Sequence, residues 1–116
     1  MDEKELKKRT KSVSLRIIKL GGALPKTVEG RAIGSQLIRS GTSVGANYRA
    51  ACRGRSKPDF IAKLGIVEEE ADESAFWTEL ITESDVMKKE LVEPLLQEAN
   101  ELVAIVTASR KSAAGR

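Results

Sequence analysis

The chain has no histidine, a single cysteine (Cys52), three prolines and four aromatic residues. Without histidine there is no imidazole to serve as a base near neutral pH, and the commonest metal ligand is missing. Ser-His-Asp and Cys-His nucleophilic schemes are excluded with it. So is the Glu-x-x-His half of a di-iron carboxylate site in a helical bundle. One cysteine cannot form an intrachain disulfide, which suits a reducing cytosol. With Tyr48, Phe60, Phe76 and Trp77 as the full aromatic set, a core must be filled by Leu, Ile, Val and Ala. No apolar run approaches the length needed to cross a bilayer. The N-terminal Met1-Asp2-Glu3-Lys4 has no apolar stretch behind it, so no signal peptide is expected. These absences predict a cytoplasmic chain that is not an enzyme, holds no cofactor or metal and has no membrane partner.

What is present fits one soluble domain over residues 1–116. Charged residues make up 32% and hydrophobic residues 41%, the balance of a helix-rich globular protein. A chain of this length buries roughly two-thirds of its unfolded surface, enough for one core without staples. The charge is unevenly placed. Residues 1–57 hold fourteen Lys and Arg against four Asp and Glu, a net of +10, whereas residues 58–116 hold six against thirteen, a net of −7. The plain expectation is that the halves pack together and neutralise each other.

Three breaks divide the chain into four segments. Gly21-Gly22-Ala23-Leu24-Pro25-Lys26-Thr27 combines helix-stopping glycine with Thr27 as the next cap. Ser56 and Asp59 have capping-box spacing, with Pro58 in the first turn. Ser84-Asp85-Val86-Met87 is a weaker break, and Pro94 marks a kink or the true start of the last helix. The predicted helices are roughly 3–21, 27–53, 57–84 and 88–111, with 112–116 as a frayed tail. Each carries an apolar seam with alternating spacings of three and four, as in Leu6, Thr10, Val13, Ile17 and Leu20 of the first. Short connections make neighbours antiparallel. The fold class is therefore all-α, an antiparallel up-and-down four-helix bundle.

Two helices carry more than a seam. The second has a stripe of small residues beside its seam, including Gly34, Gly41 and Gly45, continuing to Tyr48 and Cys52. Such a stripe admits a close helix, either inside the bundle or from another subunit. Nearly opposite the seam, Arg31, Arg39, Arg49 and Arg53 fall within an arc of about 80°, at 100° per residue. Arg55 and Lys57 extend it. Such an arc is either a solvated face, a source of intersubunit ion pairs, or a phosphate-binding surface. The third helix is acidic and carries Ile66, Phe76, Trp77 and Leu80 away from its seam. A helix apolar on two sides in so small a domain points to self-association. Together these give a candidate oligomer interface at Gly41, Gly45, Tyr48, Ile66, Phe76, Trp77 and Leu80. A basic helix-2 face and an acidic helix-3 face are different but complementary, so their contact would be heterologous and close into a ring or run into a filament.

The runs Gln36–Ala51 (containing Arg39-Ser40-Gly41-Thr42-Ser43-Val44-Gly45-Ala46-Asn47), Ser56–Leu64 and Glu68–Glu73, with Trp77 behind them, resemble the bacterial "four helix bundle protein" family. That family is also called the 23S rRNA intervening-sequence protein family. The similarity extends to Leu15–Leu20 and Glu93–Leu96. It implies an antiparallel four-helix bundle and a ring-shaped homopentamer. The chain is also similar to the accessory protein of diversity-generating retroelements, a basic pentamer that binds nucleic acid and a reverse transcriptase. The leading expectation is thus a non-enzymatic pentameric scaffold that binds RNA, DNA or a nucleic-acid enzyme through Arg31, Arg39, Arg49, Arg53, Arg55 and Lys57. The alternative is a protein-protein adaptor or structural oligomer without nucleic-acid binding. Ser40, Thr42, Asn47 and Glu70 read as packing and buried hydrogen bonding.

Overall fold

A computed structural model describes residues 1–115. It contains four helices: α1 (Glu3–Ala23), α2 (Val28–Cys52), α3 (Lys57–Glu83) and α4 (Lys89–Ala113). Among the described residues there is no strand. Each helix packs on its sequence neighbour as an up-and-down four-helix bundle, while α1 and α4 close the ring over a much thinner seam. The bundle is a rod of 44 × 20 × 20 Å, so every helix exposes one outer arc along its length.

Local chemistry accounts for the helix ends. Asp2, Thr27 and Ser56 each accept from the backbone N–H three residues on, at 2.8, 3.1 and 3.2 Å. Asp59 reaches back to the N–H of Arg55 at 3.2 Å, one residue earlier than a capping box requires. The first break is not made by glycine. Gly21 and Gly22 lie inside α1, which stops because Pro25 forces Leu24 into an extended conformation (φ −66, ψ 151). The third break lacks glycine and instead puts Asp85 at φ 58, which Asp tolerates better than most residues. Pro94 sits within α4 without ending it. The α4 helix also runs to Ala113, so part of the expected tail is helical; Arg116 lies outside the described residues.

The seams close on one core. Val13, Ile17, Leu37, Val44, Leu64, Val67, Ile81, Val92, Leu102 and Val106 are fully buried within it. Four buried polar side chains, Thr10, Ser40, Ser74 and Thr78, all find hydrogen-bond partners. Ser74 Oγ lies 3.1 Å from Ser40 Oγ, linking α3 to α2. Thr42 and Asn47 donate to carbonyls one turn back, consistent with packing roles.

The glycine stripe of α2 is spent inside the chain, on α1. A Cβ on Gly41 would lie 2.4 Å from Ile17 Cδ1, and one on Gly45 would lie 2.8 Å from Ser14 Oγ. Gly34 faces the carbonyl of Gly21 in the same way. Ser14 Oγ crosses the gap to the carbonyl of Gly41 at 2.8 Å. Each glycine costs about 1 kcal/mol of helix propensity, offset here by close helix approach. Gly41 and Tyr48 are buried and Gly45 is half-buried. Gly41 and Tyr48 therefore do not form an outward face, contrary to the oligomer-interface expectation, and Gly45 is turned to α1. Tyr48 packs into the core, and burial pushes its phenol pKa well above the ordinary value.

Candidate nucleic-acid interface

The order of helices turns the charge imbalance of the sequence into a charge imbalance in space. The α1 and α2 helices form one side of the rod, α3 and α4 the other. Neutralisation between the halves is partial. Among the described residues, the cations of residues 1–57 that reach side-chain carboxylates of the second half are Arg9 and Arg39. Arg9 Nε donates to Glu98 at 3.0 Å and Glu101 lies nearby, bridging α1 and α4. Arg39 donates to Glu70 at 3.2 Å and also to Glu73, bridging α2 and α3. A third bridge, Arg110 to Glu68 at 2.8 Å, lies within the acidic half.

The arginines of α2 therefore separate by angle. Arg39 leans toward α3, where its two acidic partners hold its pKa above the ordinary value, Glu73 most strongly. Glu73 also accepts from the indole N–H of Trp77 at 3.0 Å. That bond, with Arg39, holds the Glu73 carboxyl below the ordinary value. Arg49 and Arg53 lean the other way, toward α1. With Lys7, Lys11 and Gly45 they line an open groove of about 430 Å³. Among the described residues no carboxylate pairs with Lys11, Arg49 or Arg53; Lys7 has Glu3 at 3.6 Å on the exposed α1 surface.

The groove exists because antiparallel packing puts one lysine pair (i, i+4) beside one arginine pair (i, i+4). Gly45 forms its floor. Its missing side chain lets α1 come close at Thr10 and Lys11 and leaves the space between the cations unfilled. Four cations converging on a concave surface suit a phosphate backbone, since each phosphate neutralised releases counterions. No aromatic side chain lines the groove, so base stacking is not provided for.

The remaining predicted residues are scattered. Arg31 shares the arc of Arg49 but lies eighteen residues away, about 27 Å along the helix at 1.5 Å per residue. Arg55 and Lys57 are exposed in the α2–α3 connection and the first turn of α3, at the same end of the rod as the groove. Arg39 is occupied by its ion pairs and does not join them. On α3, Ile66 and Phe76 are 43% and 50% exposed, whereas Trp77 and Leu80 are half-buried. Trp77 packs against the core and edge-on to Phe76, with ring centroids 5.2 Å apart. Lys7 and Lys11 escaped sequence reasoning because seven cations dot α1 almost evenly, so nothing in the sequence singles out two of them.

Among the described residues no helix is long and apolar enough to cross a membrane. No three His, Cys, Asp or Glu side chains there could hold a metal ion together. Cys52 is half-buried and burial pushes its thiol pKa up, away from a reactive thiolate.

No curated protein matches this sequence. A crystal structure of a protein of unknown function from the S23 ribosomal protein family of Bacteroides thetaiotaomicron superposes with a TM-score of 0.88. The two are 31% identical, covering 96% of this chain and 99% of the other. The profile of the 23S rRNA-intervening sequence proteins matches residues 2–108. With the same bundle along the whole rod and the match spanning nearly the whole sequence, this chain belongs to the 23S rRNA-intervening sequence protein family.

Proposed function

We propose that this chain is a non-enzymatic, cytoplasmic, oligomeric scaffold that binds the phosphate backbone of nucleic acid through Lys7, Lys11, Arg49 and Arg53. One observation carries the reading: these four cations line one groove over a glycine floor, and among the described residues three of them have no carboxylate partner. Arg55 and Lys57 would extend the contact at that end of the rod. The groove has no aromatic platform, so binding would follow backbone charge with little sequence preference. A pentamer, the assembly that the family resemblance implies, would repeat the groove and multiply a weak single contact.

A gel-shift or anisotropy series against RNA and DNA at rising salt tests this. Four neutralised phosphates predict a log–log salt slope of about −3.6 for duplex DNA and about −2.8 for a single strand. Absence of binding at low salt, or binding indifferent to salt, would sink it. A second reading, a protein-protein adaptor, is favoured by the half-exposed Phe76 and the exposed Ile66 on α3. It gains if nucleic acid fails to bind at any salt concentration.

A further inference from the structure

Two helices carry a second seam that faces outward. On α1 it runs Lys4, Lys8, Lys11, Leu15, Ile18 and Gly22; on α3 it runs Ala62, Ile66, Glu69, Glu73, Phe76 and Leu80. Both have spacings of 4, 3, 4, 3 and 4, the alternation that keeps residues on one stripe of a helix facing a partner helix. The α1 stripe is basic at its start and apolar beyond, with Leu15 59% and Ile18 47% exposed. The α3 stripe is apolar at both ends and acidic in the middle, flanked by the exposed Asp72, Glu79 and Glu83. No acid lies on the α1 stripe and no cation on the α3 stripe.

We infer that the α1 stripe of one copy of this chain seats on the α3 stripe of the next. This rests on the oligomeric part of the function proposed above and names the surfaces that would form it. Helices α1 and α3 are not packed as neighbours within the chain; they are diagonal, so one copy offers the two stripes on opposite sides. Different surfaces on opposite sides make a heterologous contact, which closes as a ring or extends as a filament and does not stop at a twofold dimer.

The levels along the rod agree with the pairing. Gly41 meets Ile17, and Ser40 meets Ser74, so Ile17 and Ser74 stand at nearly one height. In copies sharing an axis, α1 and α3 run parallel. Leu15 and Ile18 then fall between Glu69 and Phe76. The Lys8–Lys11 turn falls beside Ile66, where lysine stems cover the apolar surface and the ammonium groups reach Glu69. Gly22 falls between Phe76 and Leu80. Unlike Gly21, Gly34 and Gly41, Gly22 has nothing within 4 Å of where a Cβ would be. Its smallness serves no contact inside the chain and would make room for Phe76 of a neighbour. The sequence had suggested α2 as the basic partner; Arg39 is already paired with α3 of its own chain, and the outer arc of α2 carries no large apolar residue beyond Val28 at its start.

The test breaks one stripe at a time in the full chain. Leu15→Glu with Ile18→Glu removes the α1 stripe; Ile66→Lys with Phe76→Lys removes the α3 stripe. Circular dichroism and melting confirm that each variant folds, since all four residues are at least 43% exposed. Light scattering should show an assembly for the unaltered chain and the 12.6 kDa monomer for each variant alone. An equimolar mixture should give a species of twice that mass, because each variant retains the one stripe the other needs. A mixture that stays monomeric, or a single variant that still assembles, overturns the pairing of these stripes. An unaltered chain that is monomeric at every salt concentration overturns the oligomeric reading as well. Lys11 is common to the α1 stripe and the groove, but the four residues altered here all lie outside the groove, so nucleic-acid binding is scored separately.

Discussion

The two sides of α2 are built on different principles. Toward α1, glycines let the backbones approach until Gly41 rests on Ile17 and Ser14 bonds a main-chain carbonyl across the gap. Toward α3, side chains fill the space: Ser40 meets Ser74, and Arg39 meets Glu70 and Glu73. The consequence reaches the surface. On the α3 side the arginine finds acids and is neutralised. On the α1 side the neighbouring helix is itself basic, so Arg49 and Arg53 find lysines, and their charge stays available. One helix thus pairs one cation within its own fold and leaves two without a carboxylate partner among the described residues, and the choice is made by which neighbour each faces.

The sharpest way to break this contrast is Gly41→Leu. A side chain where even a Cβ would lie 2.4 Å from Ile17 Cδ1 must push α1 away, at a cost of about 3 kcal/mol. Thermal melting should fall by roughly 10 °C or more; an unchanged Tm would show that the α1 crossing is not tight. Next in size, Arg49→Ala with Arg53→Ala should reduce the salt slope of nucleic-acid binding by about 2, whereas Arg39→Ala should leave it unchanged. Equal effects from both variants would erase the distinction between the two sides.

The α3 side should respond to acid. Hydrogen bonds from the Trp77 indole and Arg39 hold Glu73 below its ordinary value of 4.5, and Arg110 does the same for Glu68. A depressed carboxyl contributes stability that is present above the unfolded pKa and is lost as pH falls through the folded one. Denaturant midpoints should therefore hold steady above about pH 5 and fall below about pH 4.5. Arg39→Ala should flatten part of that fall, and only slightly, because the pair is solvent-screened. A midpoint indifferent to pH between 5 and 3 would show that these bonds do not stabilise the fold. The smallest effect is expected for Ser40→Ala, about 0.5–1 kcal/mol, since Ser74 Oγ keeps its bond to the carbonyl of Glu70. A loss as large as that of Gly41→Leu would mean that the serine pair organises the whole α2–α3 contact.

Much of the fold was legible in the sequence. The predicted seams are the buried seams, and the helix bounds agree within about two residues, because three-four spacing and side-chain caps are local properties. The two misplaced signals were both glycine. Gly21 and Gly22 read as a stop, yet the helix runs on to the constraint imposed by Pro25. Gly41 and Gly45 were set among candidate interface residues, although they are an internal crossing. Helical periodicity gives the arc on which a residue lies and says nothing about which helix fills that arc.

The same limit governs the candidate site. Its arginines were visible as a basic arc, with Arg39 counted equal to Arg49 because an arc of about 80° looks like one face on a lone helix. Only packing divides that arc between an acidic neighbour and a basic one, and only packing brings Lys7 and Lys11 beside it. By itself the sequence determined the four helices, their seams, the caps, the opposed charges of the two halves and the absence of histidine chemistry. These follow from residue type and spacing along one helix. The tertiary structure decided which cations are spent and which converge, why the α2 glycines are small, and that α1 and α3 turn their second seams to opposite sides of the rod. Those depend on which helices are neighbours and at what height, quantities that exist only once the chain has closed on itself.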